Sequence, residues 1–216
     1  MKFRTILLDP PWWYADQKKV RKDTKEPTRG IGACHHYAQM KTDELATLDL
    51  ESVMADRCHV YLWATSPLLP DAFRLLEAWK LHWATVAFVW LKANPRQYEK
   101  KIFTMDDLGH LFFFGPGYYT GSNVELVLLG TRGQPFHFAK GCKGSQIVLA
   151  PRLGHSEKPD EVQRRIAWMY PDATPRLELF ARRSLDGWTC VGNEAPDTPG
   201  EDIRTSLKKL VERVGK

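Results

Sequence analysis

Phe3-Arg4-Thr5-Ile6-Leu7-Leu8-Asp9-Pro10-Pro11-Trp12 is the stretch on which the reading of this chain turns. Six mostly apolar residues run straight into a carboxylate, two prolines and a tryptophan, so a buried strand ends where a stiff turn begins. In an open α/β sheet, ligand crevices form at the carboxyl ends of strands. Consecutive prolines fix φ and remove two backbone N–H donors, which leaves a turn that offers a ligand only acceptors. Such a turn suits the handling of an amine on a planar base. The Asp9 carboxylate can accept one amine hydrogen and the Pro10 carbonyl the other, aiming the nitrogen lone pair at a methyl donor. Trp12 adds a flat face, and base–aromatic stacking contributes roughly 1–3 kcal/mol toward holding a base drawn out of a helix. The plainer alternative is an ordinary Pro-Pro turn with Asp9 as a local acceptor and Trp12 as packing.

A chain of 216 residues has room for one domain with a substantial core and is too short for two sizeable ones. Its 43% hydrophobic and 26% charged residues are those of a globular protein, and no apolar run approaches the roughly 20 residues of a membrane span. The N-terminus enters a strand directly, leaving no room for a signal peptide, so the expected location is cytoplasmic. Cys34, Cys58, Cys142 and Cys190 are widely spaced without a C-x-x-C, which suits reduced thiols. The Cys34-His35-His36 triplet lacks a fourth ligand at convincing spacing, so no metal is expected. The net charge of +5 favours an anionic partner. Lys18, Lys19, Arg21, Lys22, Lys25 and Arg29 crowd the segment after Trp12, where a basic loop can hold phosphates through salt-sensitive contacts or simply stay solvated.

Further strands are expected at His59 to Ala64, Thr85 to Leu91, Glu125 to Gly130, Arg176 to Ala181 and Trp188 to Gly192, several as nearly continuous apolar runs that would be buried on both faces. Helical spacing covers Pro70 to Trp79, with Phe73, Leu76 and Ala78 on one face, and Pro159 to Met169, with Val162, Ile166 and Met169 likewise. Ser156 is the expected N-cap of the latter. Strands alternating with helices imply an α/β, Rossmann-like fold, a mostly parallel sheet flanked by helices. Residues 16–40 and 93–123 fit no regular element and, at this length, read as the lips of a cleft. Phe112, Phe113 and Phe114 within the second are read as packing, and Trp63, Trp79, Trp83 and Trp90 as core. Residues 201–216 form an amphipathic helix or tail with Ile203, Leu207, Leu210 and Val214 on one stripe, able to dock on the domain of residues 1–200 or on a second subunit in a homodimer.

Three downstream pieces complete a constellation: Ser156-Glu157-Lys158-Pro159 before a helix, Leu177-Glu178-Leu179-Phe180-Ala181-Arg182 on a late strand, and Gly187-Trp188 followed by Gly192-Asn193-Glu194. Together with Asp9-Pro10-Pro11-Trp12, and with His36-Tyr37-x-x-Met40, Leu62-Trp63, Trp90-x-Lys92 and Asn123-x-Glu125 leading to Gly130-x-x-Gly133, this order resembles one known family. It is the adenine N6-methyltransferase family named for the seventy-kilodalton subunit of the messenger-RNA adenosine methyltransferase. The resemblance runs nearly to Glu194 and implies an S-adenosylmethionine-dependent methyltransferase fold acting on the adenine amine of DNA or RNA.

The resemblance implies that Asp9, Pro10, Pro11 and Trp12 form the catalytic turn, that Asp9, Lys158, Phe180, Arg182, Asn193 and Glu194 surround the cofactor, and that Trp12, Tyr37, Lys92, Asn123 and Glu125 face the substrate. Physical chemistry agrees for several of them. Glu194 at a strand end can accept from ribose hydroxyls with Asn193 beside it, and Lys158 and Arg182 can hold the cofactor carboxylate. The chain departs from the family pattern in having no strand before Asp9 to carry an upstream acidic cofactor contact, and in having Gly121 where relatives often have a basic residue. A compact chain favours DNA as the substrate over RNA. A non-catalytic nucleic-acid-binding subunit with the same fold and a cytosine-directed enzyme are the competing readings.

Overall fold

The computed structural model describes residues 1–14, 39–100, 104, 110–115, 119–152, 154 and 157–215. Among these residues seven strands form one sheet, β1 (Phe3–Leu8), β2 (Met54–Ala64), β3 (His82–Ala93), β4 (Val124–Arg132), β5 (Ile147–Pro151), β6 (Arg176–Leu179) and β7 (Thr189–Val191), in the spatial order β5-β3-β4-β2-β1-β6-β7. β1 lies between β2 and β6 and is parallel to both, with Leu8 opposite Leu62 on one side and Leu179 on the other. Alternate side chains of this central strand enter opposite layers. Ile6 and Leu8 join Val60, Leu62, Leu177 and Leu179 in one apolar cluster, while Leu7 joins Tyr61, Trp63, Trp90, Val127, Val162 and Ile166 in another.

The first layer holds α1 (Thr42–Ala46), α2 (Leu50–Val53), α3 (Leu69–Ala78) and α6 (Ile203–Val214); the second holds α5 (Glu161–Met169). Between α3 and β4 the chain also makes the short helix α4 (Pro95–Tyr98). Both faces of the central sheet are thus covered, as a parallel sheet requires. Among the described residues no helix is long and apolar enough to cross a membrane.

The sheet is mostly parallel, with β4 as the antiparallel member, wedged between β2 and β3. β3 and β4 are therefore joined not by a crossover helix but by the long segment 94–123. All the parallel strands end on the edge of the sheet where β4 begins. That shared edge collects Asp9 after β1, Lys92 near the end of β3, Glu125 near the start of β4, Lys158 after β5, Phe180 after β6 and Asn193 after β7.

Several local expectations are corrected. β5, the apolar run Ile147-Val148-Leu149-Ala150 ending in Pro151, is a further strand absent from the expected set; among the described residues it is an edge strand paired with β3. β3 is not buried along its first half, where Trp83 is 47% exposed and packs edge-on against Phe73. The buried stripe of α3 is Ala72, Leu75 and Leu76; of the expected Phe73, Leu76 and Ala78 only Leu76 is buried, while Phe73 is 40% exposed and packs against Trp83. α5 begins at Glu161 with Asp160 at its N-cap, two residues inside the expected start; Ser156 lies outside the described residues. Phe114 is 65% exposed rather than packed. α6 forms from Asp202, whose carboxylate caps the Arg204 N–H at 2.8 Å, and buries Ile203, Leu207 and Leu210 in the same cluster as Ile6 and Leu8.

Candidate active site

β1 stops at Leu8 because the next peptide units cannot donate. Asp9 makes one last sheet bond, its N–H donating to the Leu179 carbonyl at 3.5 Å, and then Pro10 and Pro11 supply no N–H. The Trp12 N–H folds back on the Pro10 carbonyl at 2.8 Å. Met40 pins the far side of the turn, donating to the Pro11 carbonyl at 2.8 Å and accepting from the Trp13 N–H at 3.1 Å. The Pro10 oxygen keeps a second lone pair for a ligand.

Trp12 does not offer the expected stacking face. It is 7% exposed, lies in the core cluster and donates from Nε1 to the Trp63 carbonyl at 3.1 Å. A ring with an apolar body and a single donor is most stable where both are satisfied, and this site satisfies both. The neighbouring Trp13 is 38% exposed, with the Lys41 ammonium 5.8 Å from its ring centroid. Sequence reading missed Trp13 because adjacent tryptophans look equivalent until burial separates them.

Behind the turn runs a ladder of alternating charge. Lys158 Nζ lies 2.9 Å from each Asp9 carboxylate oxygen and 3.3 Å from Glu125, whose other oxygen is 2.6 Å from Lys92 Nζ. All four side chains are at most one-fifth exposed. The Lys158 ammonium also sits over the Trp63 ring at 5.6 Å, and Trp63 in turn meets Trp90 edge-on. Burial opposes the charge on Lys158, but the two carboxylates outweigh it and raise its pKa. Burial alone would raise Glu125 as well; Lys158 and Lys92 prevail and hold it below the usual carboxylate range. For Asp9 burial prevails over Lys158, and its pKa is raised. Two carboxylates share one ammonium, and Glu125 has a second lysine. Asp9 is consequently the member with the greater hunger for a proton.

Lys158 owes its place to an arginine that sequence reading did not single out. Arg183 donates to the Lys158 carbonyl at 3.1 Å and to Glu157 at 3.0 Å, and it also pairs with Asp160, clamping the turn before α5. Nothing in the local pattern distinguished Arg183 from Arg182.

In front of the turn is a cavity of about 270 Å³. Asp9, Pro10, Pro11 and Met40 form one wall; Phe180, Arg182, Asn193 and Glu194 form another. Phe180 reaches it from the left-handed region, φ 63°, which ends β6 and swings the chain across the strand end. Gly192 lets β7 approach closely, since a Cβ there would stand 2.3 Å from the Ala181 carbonyl oxygen. Arg182 lies 3.9 Å from Glu194. Of the expected cofactor residues, then, Asp9, Phe180, Arg182, Asn193 and Glu194 share one cavity, whereas Lys158 stands behind Asp9, engaged with carboxylates of the protein. On the substrate side, Lys92 and Glu125 are paired to each other, and Asn123 offers its backbone carbonyl to the Lys92 N–H at 2.9 Å. Tyr37, the basic segment 18–29 and the Cys34-His35-His36 triplet lie outside the described residues.

Glu178 is a second residue that sequence reading quoted without assigning a role. It sits opposite Leu7 on β6, on the face that carries Asp9, and accepts from Gln163 at 3.2 Å and from the Cys190 thiol. Burial, with the Asp9 charge adding to it, pushes its carboxyl up to about 7.

The arrangement as a whole is a donor-free turn, a buried carboxylate with raised proton affinity, and an adjoining cavity lined in part by an amide and a carboxylate. Residues 3–194 match the MT-A70 family model. The chain is 34% identical over 205 residues to the Type II methyltransferase M.MunI of Mycoplasma sp., covering 91% of this chain and 79% of the relative. It is 24% identical over 196 residues to the N(6)-adenine-specific methyltransferase METTL4 of Homo sapiens, covering 89% of this chain and 37% of the relative.

Proposed function

Because the chain belongs to the MT-A70 family, we propose that the turn at Asp9 is the catalytic centre of an adenine N6-methyltransferase and that its substrate is DNA. MT-A70 methyltransferases use S-adenosylmethionine in general, and the cavity beside Asp9 suits it: Asn193 and Glu194 match a ribose diol, Arg182 a carboxylate, and Phe180 and Pro11 the apolar parts. When bound there, the cofactor supplies an electrophilic methyl group on a sulfonium.

The protein's own residues do the rest. Asp9 and the Pro10 carbonyl accept the two hydrogens of the adenine amine, which draws its lone pair out of the ring and fixes the line of attack. As positive charge grows on that nitrogen the two acceptors bind it more strongly, so they stabilise the transition state beyond the ground state. Lys158 works against burial and favours the ionised form of Asp9. The raised proton affinity of Asp9 then suits it to receive the proton that the methylated nitrogen releases. The exposed ring of Trp13, next to the turn, is the available face for a neighbouring base.

The observation that carries this reading is the Asp9 carboxylate, opening on the cavity in front and held by Lys158 behind. DNA is assigned over RNA on the chain's higher identity to the Mycoplasma Type II methyltransferase than to human METTL4. The test is incubation with methyl-labelled cofactor and, separately, single- and double-stranded DNA and RNA, followed by digestion to nucleosides. Label in N6-methyldeoxyadenosine is expected. Label only in a ribonucleoside would reassign the polymer, and label on cytosine would reject the adenine assignment.

A further inference from the structure

The family match ends at residue 194, yet the cavity does not. Its lining continues through Glu201, Asp202, Ile203 and Arg204, at the start of α6. This wall is joined to the rest of the site at three points. The Gly200 N–H donates to the Asn193 carbonyl at 2.7 Å, so the segment hangs directly from the Asn193–Glu194 turn. The Thr198 hydroxyl both donates to the Gly192 carbonyl and accepts its N–H, at 2.8 and 3.0 Å. Arg204 reaches across to Glu44 at 3.2 Å, and both residues line the cavity, so their ion pair ties α6 to α1. Ile203 is anchored in the main core, which holds the wall in place from behind.

The methyl group must be delivered at Asp9 and Pro10. The end of the cofactor away from its methyl group and amino-acid tail is the nucleoside, and Asn193 and Glu194, assigned above to its ribose, line the same cavity as residues 201–204, with the Gly200–Asn193 bond joining the two segments. Resting on the cofactor assignment above, we propose that the C-terminal segment supplies half of the nucleoside seat: Ile203 contacts the purine face and the Asp202 carboxylate accepts from the purine amine or a ribose hydroxyl. Asp202 already caps α6 and pairs with Arg204, and a carboxylate has acceptor capacity beyond those two donors. The C-terminal helix is on this view a part of the binding site and not an appendage of the domain, and cofactor binding tightens its docking.

The test uses the full-length protein with two probes, S-adenosylhomocysteine and 5′-methylthioadenosine, the second carrying the nucleoside without the amino-acid tail. Asp202→Asn retains a good capping residue and so preserves the helix. Calorimetric titration is expected to show Asp202→Asn weakening both probes about ten-fold or more, the worth of one hydrogen bond to a charged acceptor. Amide exchange across residues 203–210 of the wild-type protein is expected to slow when either probe binds. Leu210→Ala, in the same helix but away from the cavity, should leave both affinities unchanged. If the wild-type protein binds neither probe, the cofactor assignment itself falls. If it binds both while Asp202→Asn matches wild type and α6 exchange is unaltered, the nucleoside seat is wrong and the cofactor assignment stands. Weakening of S-adenosylhomocysteine alone would put the segment at the amino-acid end and overturn the proposal equally.

Discussion

Lys158 and Asp9, 149 positions apart in the chain, meet at 2.9 Å with both carboxylate oxygens of Asp9 in reach of one ammonium. The contact opposes the effect of burial on Asp9 and favours its ionised form. Without it nothing as close among the described residues would oppose the effect of burial on the Asp9 pKa, and a protonated carboxyl has less acceptor capacity than a carboxylate.

Lys158→Met is therefore expected to raise the Asp9 pKa further, since the influence it removes is the one that lowers it. The acid limb of the kcat/KM profile should move to higher pH, with activity recovering partly on the alkaline side. Denaturant unfolding should also show a loss of about 3–5 kcal/mol, because Asp9 and Glu125 are left buried with one cation fewer. A pH profile identical to wild type would sink the assigned role of Lys158.

The two adjacent tryptophans should part company. Trp12→Ala removes a buried ring and its bond to Trp63, and is expected to cost about 3–5 kcal/mol in stability. Trp13→Ala should leave the melting temperature nearly unchanged while weakening nucleic-acid binding by about 1–3 kcal/mol, read from fluorescence anisotropy at fixed salt. Equal thermal shifts in both variants would contradict the burial difference.

His59 predicts a loss of stability in mild acid. Its ring is 2% exposed, accepts the Phe136 N–H at 2.9 Å, and is pushed down to about 4 by burial and by nearby Arg57. The unfolded chain binds this proton near pH 6.5 and the folded one does not. Stability is thus fully present above about pH 6.5 and is lost as pH falls toward about 4, by about 3 kcal/mol in all. Unfolding curves of the wild type at several pH values should show that slope, and the curves of His59→Asn should lack it.

Glu178 works in the opposite direction. Its folded carboxyl sits at about 7, above its unfolded value of 4.5, so the stability it contributes is complete below pH 4.5 and is lost as pH rises through 7. Glu178→Gln keeps the shape without a charge to bury. Its stability relative to wild type should therefore rise between pH 4.5 and 8, and a flat difference would show that Glu178 is ionised throughout.

The opening strand and its turn were legible in the sequence because both rest on neighbours in the chain. Alternation places Ile6 and Leu8 on one face and Leu7 on the other, and two prolines end the ladder wherever they stand. The expected residues Asp9, Phe180, Arg182, Asn193 and Glu194 were named together through the family resemblance, and they share one cavity because strand ends converge at one edge. The ladder from Lys92 through Glu125 and Lys158 to Asp9 was not, because it depends on β4 lying antiparallel between β2 and β3, a pairing that no local pattern specifies.

By itself, then, the sequence determined the donor-free turn, the mostly parallel layered sheet and the family. Tertiary structure alone decided that Trp12 is core and Trp13 is surface, that Lys158 serves Asp9 from behind instead of lining the cavity, and that residues 201–204 join the cavity lining. Strand and turn formation follow from torsion angles and hydrogen bonds among near neighbours, whereas burial, charge pairing and cavity shape belong to residues brought together from distant parts of the chain.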